Sequence, residues 1–239
     1  MTTRSTAIPL SRRADPYRDT DVIDARAPRF NQTVIALAST LAVATGWWPI
    51  LALFAAQLAI GLRFGRRWCV TCLAYFELIQ PRFGEGPIED SRPPRFANLV
   101  GTIVLGAASL AYVAGFVALG AALGILVAVL AALAALTGFC AGCEMYKLGA
   151  RLWGIRSHLL ERIDPGDVAG IADRTVIEFT HPLCTDCHEL EKRLATEGER
   201  VIGVDVSRRS DLARKYGIAA VPVAVRVDAR GQVVERIAG

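Results

Sequence analysis

All six cysteines of this 239-residue chain fall into pairs of the form Cys-x-x-Cys. They are Cys69/Cys72 in "RRWCVTCLAYF", Cys140/Cys143 in "GFCAGCEMYK" and Cys184/Cys187 in "HPLCTDCHEL". Two thiols at this spacing sit one helical turn apart, so the second can resolve a mixed disulfide made by the first. Two such pairs brought together would instead offer four thiolates to zinc. Either chemistry needs thiolate rather than thiol, and the free N–H groups at a helix start stabilise that charge. The sequence must therefore supply helices that begin at these cysteines, and something that holds those helices in place.

Two of the pairs close long uncharged runs, 34–62 and 97–143. The chain is 53% hydrophobic with a mean hydropathy of +0.36, and the excess is concentrated in these runs. A hydrocarbon core takes about 20 apolar residues per helix, which makes both runs membrane candidates. As one helix, 97–139 would measure roughly 64 Å at about 1.5 Å per residue, twice a bilayer. It must turn back, most easily near "AGFVALG" (114–120). In the first run Gly46 and Pro49 break "TGWWPI", whose paired tryptophans suit a membrane–water interface. The sequence thus predicts two helical hairpins. Gly120 and Gly124, four apart, would let two of the helices approach closely.

The halves repeat. "APRFNQTVIAL" (27–37) returns as "PPRFANLVGTIVL" (93–105), and each is followed by an apolar stretch, a dithiol and a tyrosine, Tyr75 or Tyr146. With two hairpins, Arg26, Arg29, Arg63, Arg66, Arg67, Arg92, Arg95 and Lys147 all fall on one side, while the hairpin tips carry no charge. Positive residues stay in the cytoplasm, so both membrane dithiols and both termini are expected there. The Arg-, Asp- and Pro-rich residues 1–28 have no apolar h-region and read as a mobile cytosolic leader without a cleavable signal peptide. The net charge of +4 comes largely from arginines beside the apolar runs, and no aromatic–basic interleaving points to nucleic acid. No Asp, Glu, Lys, Arg or His lies within a span, which argues against a channel or coupled pump.

The stretch from "PRFNQ" through "CVTC", "GEGPIEDSRPPRFANLVG" and "GFCAGCEMY" resembles the bacterial membrane family known as domain of unknown function 4395, over residues 24–152. That resemblance implies a four-helix membrane architecture in a bacterial inner membrane and brings no activity with it.

Beyond 157 the pattern changes. "RIDPGDVAGIAD" (162–173) reads as part of a linker, 158–173, and from 174 strands and helices alternate: "TVIEF", a helix opening at "CTDC", "VIGVDV", "SDLARKYGI", then a hairpin over "VPVAVRVD" and "VVERI". A strand feeding Cys-x-x-Cys at a helix start is a redox motif. Asp186 is expected to oppose ionisation of Cys184, and His181 or His188 to offset it if protonated. In order and spacing, residues 174–239 resemble the thioredoxin fold. The resemblance implies Cys184 as attacking thiol, Cys187 as resolving thiol, Pro222 as the cis-proline lining the substrate groove, and Glu178 as the buried acid assisting the resolving cysteine. The chain departs from that pattern in the Thr185-Asp186 dipeptide, in having no tryptophan before Cys184, and in lacking the final helix.

The expected architecture is an all-α four-helix membrane domain (29–157) joined to an α/β thioredoxin-like domain. The expected function is thiol–disulfide exchange between Cys184/Cys187 and the partner dithiols Cys69/Cys72 and Cys140/Cys143. No cofactor is required. The alternative is a zinc site on those four membrane cysteines, organising a scaffold or a carrier of a sulfur-containing solute. Expected partners are the lipid bilayer and a cytosolic thiol reductant or a thioredoxin reductase-like protein, with a sulfur compound or a quinone as further possibilities.

Overall fold

The computed structural model describes residues 13–152, 160–218 and 220–238. The start of the expected leader (1–12) and the residues just before and at the start of the expected linker (153–159) lie outside these. The chain divides into a helical unit, Asp15–Gly86 with Pro93–Tyr146, and a sheet unit that joins Pro87–Arg92 to Lys147–Gly239.

In the helical unit a short strand, β1 (Val22–Asp24), leads into α1 (Arg26–Thr45), which pairs as a hairpin with α2 (Pro49–Phe64). The turn forms where the sequence breaks: Gly46 takes φ +71° and Pro49 opens α2. A 3-10 turn, Arg66–Trp68, precedes α3 (Val70–Leu73), a π-helical stretch Ala74–Ile79 and the short α4 (Gln80–Phe83). The second hairpin is α5 (Arg92–Val113) and α6 (Val117–Thr137), with Gly115 at φ +83° in its turn, and α7 (Ala141–Leu152) follows.

Among the described residues two helices, α5 and α6, are long and apolar enough to cross a membrane, where the sequence led us to expect four. The reasons are local. α2 has only 16 residues, about 24 Å of helix against a hydrocarbon core of about 30 Å. α1 has 20 residues, but its first half carries Arg26, Arg29, Asn31, Gln32 and Thr33. The unit's interior is built from Ala42, Leu51, Leu58, Leu105, Ala108 and Ala131, with Ser39 and Ser109 also buried. Large aliphatics point outward instead, with Leu37 68%, Leu110 71% and Leu136 86% exposed. Both glycines of the expected close approach sit at contacts. A Cβ on Gly124 would meet Val43 of α1 at 2.7 Å, and one on Gly120 would strike the Tyr112 ring of α5.

The repeat is physical as well as textual. Phe30 lies against Tyr75 with ring centroids 5.9 Å apart, and Phe96 against Tyr146 at 5.7 Å. It also starts earlier than the Pro-Arg-Phe signal. The Asp24 carboxylate accepts the N–H of Arg26 at 2.9 Å and Asp90 accepts that of Arg92 at 2.9 Å, so each hairpin opens on an aspartate that satisfies the first free N–H of its helix.

Residues 13–28 do not behave as a free leader. Arg66 donates to the carbonyls of Pro16, Asp19, Thr20 and Val22 at 2.7–3.3 Å, and the Tyr17 ring meets Phe76 edge-on. One guanidinium has enough donors to gather several carbonyls of an irregular segment, which no periodicity in the segment itself announces.

The sheet unit contains β2 (Ile88–Asp90), β3 (Thr175–Thr180), α8 (Thr185–Thr196), β4 (Arg200–Asp205), α9 (Ser210–Lys215), β5 (Val223–Val227) and β6 (Val233–Ala238). Strands β3 to β6 form one sheet in the order β4-β3-β5-β6. β3 runs parallel to β4 and antiparallel to β5, and β5 is antiparallel to β6. β3 is central and its side chains alternate between two cores, as the pleat requires. Ile177 and Phe179 face Val204, Leu212, Val223 and Val225; Val176 faces Leu190 and Leu194 of α8.

The expected linker is part of this unit from residue 160 on. Leu160, Ile163 and Val168 are buried in the larger core, and the Ile163 N–H donates to the Gly231 carbonyl at 2.7 Å. Pro165 and Gly166 hid this, because an irregular segment can be anchored by a few apolar side chains without either regular period.

Candidate functional site

All three dithiols share one local geometry. The backbone N–H of the second cysteine donates to the Sγ of the first: Cys72 to Cys69 at 3.4 Å, Cys143 to Cys140 at 3.3 Å and Cys187 to Cys184 at 3.2 Å. Each first cysteine sits at the start of a helix, α3, α7 or α8, so its sulfur takes the place of a capping side chain on otherwise unpaired N–H groups. Cys184 and Cys187 are joined as a disulfide, and Cys69, Cys72, Cys140 and Cys143 are free thiols.

The first dithiol, Cys69/Cys72, is set in a polar network that sequence reasoning missed. Thr71, inside the Cys-x-x-Cys, lies with Oγ1 3.2 Å from Cys69 Sγ and donates to Asn31 Oδ1 at 2.7 Å. Gln57 donates to the Thr71 hydroxyl at 3.1 Å, and Asn31 donates to Asn98 at 3.3 Å. The Cys72 thiol, hydrogen-bonded to Cys69, lowers the Cys69 pKa to about 6 against the opposing effect of burial, and Thr71, the Cys72 N–H and Gln57 act in the same direction. Cys72 is pushed up by that same hydrogen bond and by burial. The pair therefore ionises at one sulfur. The signals were available: Thr71 stands between the cysteines and Asn31 follows the Pro-Arg-Phe repeat directly.

The second dithiol reaches the same end differently. Cys140 is also lowered to about 6, chiefly by the Cys143 thiol and then by the N–H groups of Cys143 and Gly142. Where the first pair has Thr71 the second has Gly142, and a Cβ there would meet Ala97 at 2.7 Å. Close helix approach replaces the polar network. When Cys69 ionises, the single Thr71 hydroxyl proton turns from Asn31 to the sulfur. Thr71→Val is therefore expected to raise the Cys69 pKa and slow its alkylation at pH 7 about threefold, less than a full hydrogen bond to a charged group because the bond to Asn31 is given up, with Cys140 as internal control. Alkylation rate against pH, read by peptide mass spectrometry, checks it.

At the third dithiol, the loop after β3 is shaped by His181, whose carbonyl accepts the Cys184 N–H at 2.9 Å and whose Nδ1 accepts the Leu183 N–H at 3.2 Å. Asp186 is exposed. Glu178 is buried on β3 beside Val176, on the face that packs against α8, the helix carrying Cys187. Burial raises its pKa to about 8, and nearby Glu191 adds to this; its Oε1 has no hydrogen-bond partner. The Val221–Pro222 peptide is cis and leads into β5.

Cys69, Cys72, Cys140 and Cys143 are not gathered into one ligand set. Among the described residues no group of three or more His, Cys, Asp or Glu side chains is placed to hold a metal ion. Each pair is built around its own helix start instead.

Residues 23–151 match the family described as "Domain of unknown function (DUF4395)". No curated protein matches the chain.

Proposed function

The chain belongs to the DUF4395 family, whose description assigns no activity, and from its own dithiols we propose that it is a membrane-bound thiol–disulfide oxidoreductase. The observation that carries this reading is the geometry common to all three pairs: a first cysteine at a helix start whose sulfur accepts the N–H of the second. A structural disulfide or an inert buried thiol has no use for a preformed thiolate site.

The sheet unit reads as a thioredoxin-like domain. The order β4-β3-β5-β6, the dithiol at the start of the helix after β3, and the cis-proline before β5 all support this. In the proposed reaction a thiolate of one dithiol attacks a sulfur of a disulfide, forming a mixed disulfide and releasing the second sulfur as thiolate. The partner cysteine of the attacking pair then displaces the other. Two electrons and two protons pass from dithiol to disulfide, and no cofactor is needed. Cys184 and Cys187 exchange in this way with Cys69/Cys72 and Cys140/Cys143, and a cytosolic thiol reductant or reductase sets the supply of electrons.

The helical unit reads as a four-helix, multi-pass domain of the inner cell membrane with cytoplasmic termini. The outward-facing leucines support it, as does the return of both hairpins to one arginine-rich end, where Gly138 packs on Arg29 and Gly142 on Ala97. Helices as short as α2 require local thinning of the bilayer.

Anaerobic purification followed by titration in a thiol–disulfide redox buffer tests the function. Six thiols that oxidise in two-electron steps, with no stoichiometric zinc, are expected. Four unreactive thiols with one zinc per chain would refute exchange and favour a scaffold.

A further inference from the structure

The dithiol Cys184/Cys187 is sealed: Cys184 is 1% exposed and Cys187 0%. An attacking thiol needs an open approach to its sulfur, so the structure must contain whatever closes this one. The segment Pro87–Arg92 belongs to the same compact unit as the dithiol although it lies nearly a hundred positions earlier in the chain.

Its contacts reach the residue after Cys184 and the residue that follows α9 and Gly217. The backbone N–H of Ile88 donates to the hydroxyl of Thr185 at 2.8 Å, the residue directly after Cys184. Nη1 of Arg92 donates to the carbonyl of Ile218 at 3.0 Å, four positions before the cis-proline Pro222. Ile88 itself is buried, and so are Asp90 and Ser91. The Arg92 guanidinium is locked in shape by Asp90, which it contacts through Nη2 at 2.7 Å and Nε at 3.0 and 3.1 Å. Charge-assisted bonds of this bidentate kind hold a side chain in one geometry. The segment is thus a short strand, Ile88–Asp90, that offers a main-chain N–H beside Cys184 and runs into the first residue of α5, Arg92, which supplies a fixed cation.

We propose that the face around Cys184 is a peptide-binding surface whose resident ligand is Pro87–Arg92, the connector between the two hairpins of this chain. The surface takes a strand that presents a backbone N–H to Thr185 and turns into a helix whose first residue, four positions on, presents an arginine to the Ile218 carbonyl. A partner of Cys184 has to displace the connector, so substrates are protein segments able to compete with it. The proposal rests on the reading of Cys184 as the reactive thiol.

The test uses the full chain with Cys69, Cys72, Cys140 and Cys143 replaced by Ser, so that only the third dithiol reports, whether or not it exchanges with the others. After reduction, the rate at which a small aromatic disulfide reagent reacts with Cys184 is compared among this parent, Arg92→Ala and Thr185→Val. Arg92→Ala is expected to react at least about tenfold faster, the scale of one lost charge-assisted bond, and Thr185→Val about fivefold faster, the scale of one lost neutral bond. Hydrogen exchange supplies a second reading: the Ile88 amide is protected in the parent and loses that protection in Thr185→Val, while amides of β3 stay protected as evidence of folding. Equal reaction rates in parent and variants, or an Ile88 amide that exchanges freely in the parent, overturn the proposal. A Cys184 that fails to react in every variant overturns the redox reading instead.

Discussion

Replacing Cys184 with Ser is expected to abolish exchange at the third dithiol, a loss on the order of 10⁴-fold or more, as when a covalent nucleophile is removed. Replacing Cys187 with Ser is expected to do something different: the mixed disulfide forms and stays. The asymmetry follows from position. Cys184 stands at the start of α8 with its sulfur on the N–H of Cys187, where helix N–H groups stabilise a thiolate, and a serine hydroxyl does not ionise there. Cys187 lies inside the first turn, 5.3 Å away Cα to Cα, close enough to attack the mixed disulfide once Cys184 has made it. In Cys187→Ser nothing releases the partner. Once Cys69/Cys72 or Cys140/Cys143 has been oxidised to its disulfide, the Cys184 thiolate attacks it and releases Cys72 or Cys143. Mass spectrometry of non-reduced peptides from membranes should then find Cys184 joined to Cys69 or Cys140, the sulfurs through which each pair attacks in the reverse direction, and not to Cys72 or Cys143. Linkage spread evenly over the four, or none at all, would contradict the assignment of attacking thiols.

That assignment could be made from sequence only in part. The pairs, their repeat and the hairpins were legible because each leaves a local mark: Cys-x-x-Cys spacing, Pro-Arg-Phe before an apolar run, and glycine or proline at the turns. The number of membrane helices was less so, since hydropathy does not tell where α2 stops at 16 residues. What escaped depends on contacts distant in sequence. Asn31 and Thr71 are 40 positions apart and meet at Cys69. Ile88 and Thr185 are 97 apart. "GEGPIEDSR" reads as a hydrophilic connector, and only its partners show that Ile88 and Asp90 are buried. The same holds for "RIDPGDVAG", whose proline and glycine suggest a linker while Ile163 anchors it in the core. Short irregular segments carry no period, so their placement is decided by what they touch.

Glu178→Gln is expected to change the pH dependence of both stability and reduction. Glu178 is 1% exposed, and burial first, Glu191 second, raises its pKa from 4.5 to about 8. Between those values the folded chain holds a proton that the unfolded chain has given up. Folded-state proton binding then exceeds unfolded, so stability falls as pH rises, and the contribution present below 4.5 is lost by the time pH passes 8. At about 1.4 kcal/mol per tenfold change in proton affinity, the loss from pH 5 to pH 8 is about 3 kcal/mol. An exposed carboxylate has no such slope, and glutamine has no proton to lose. Thermal unfolding of the sheet unit in the full chain should therefore fall between pH 5 and 8 in the parent and stay nearly level in the variant. Reduction provides the functional reading. Glu178 shares the β3 face that meets α8, and when the disulfide opens Cys187 leaves as a thiolate that a neutral carboxylic acid can protonate. General acid assistance is worth on the order of 10²-fold, so Glu178→Gln should slow reduction by about that factor below pH 7 and by progressively less above pH 8, where the parent acid is itself ionised. A purely structural role would leave the shape of the rate profile unchanged, because a glutamine that only repacks the core scales the rate without moving the pH at which it declines.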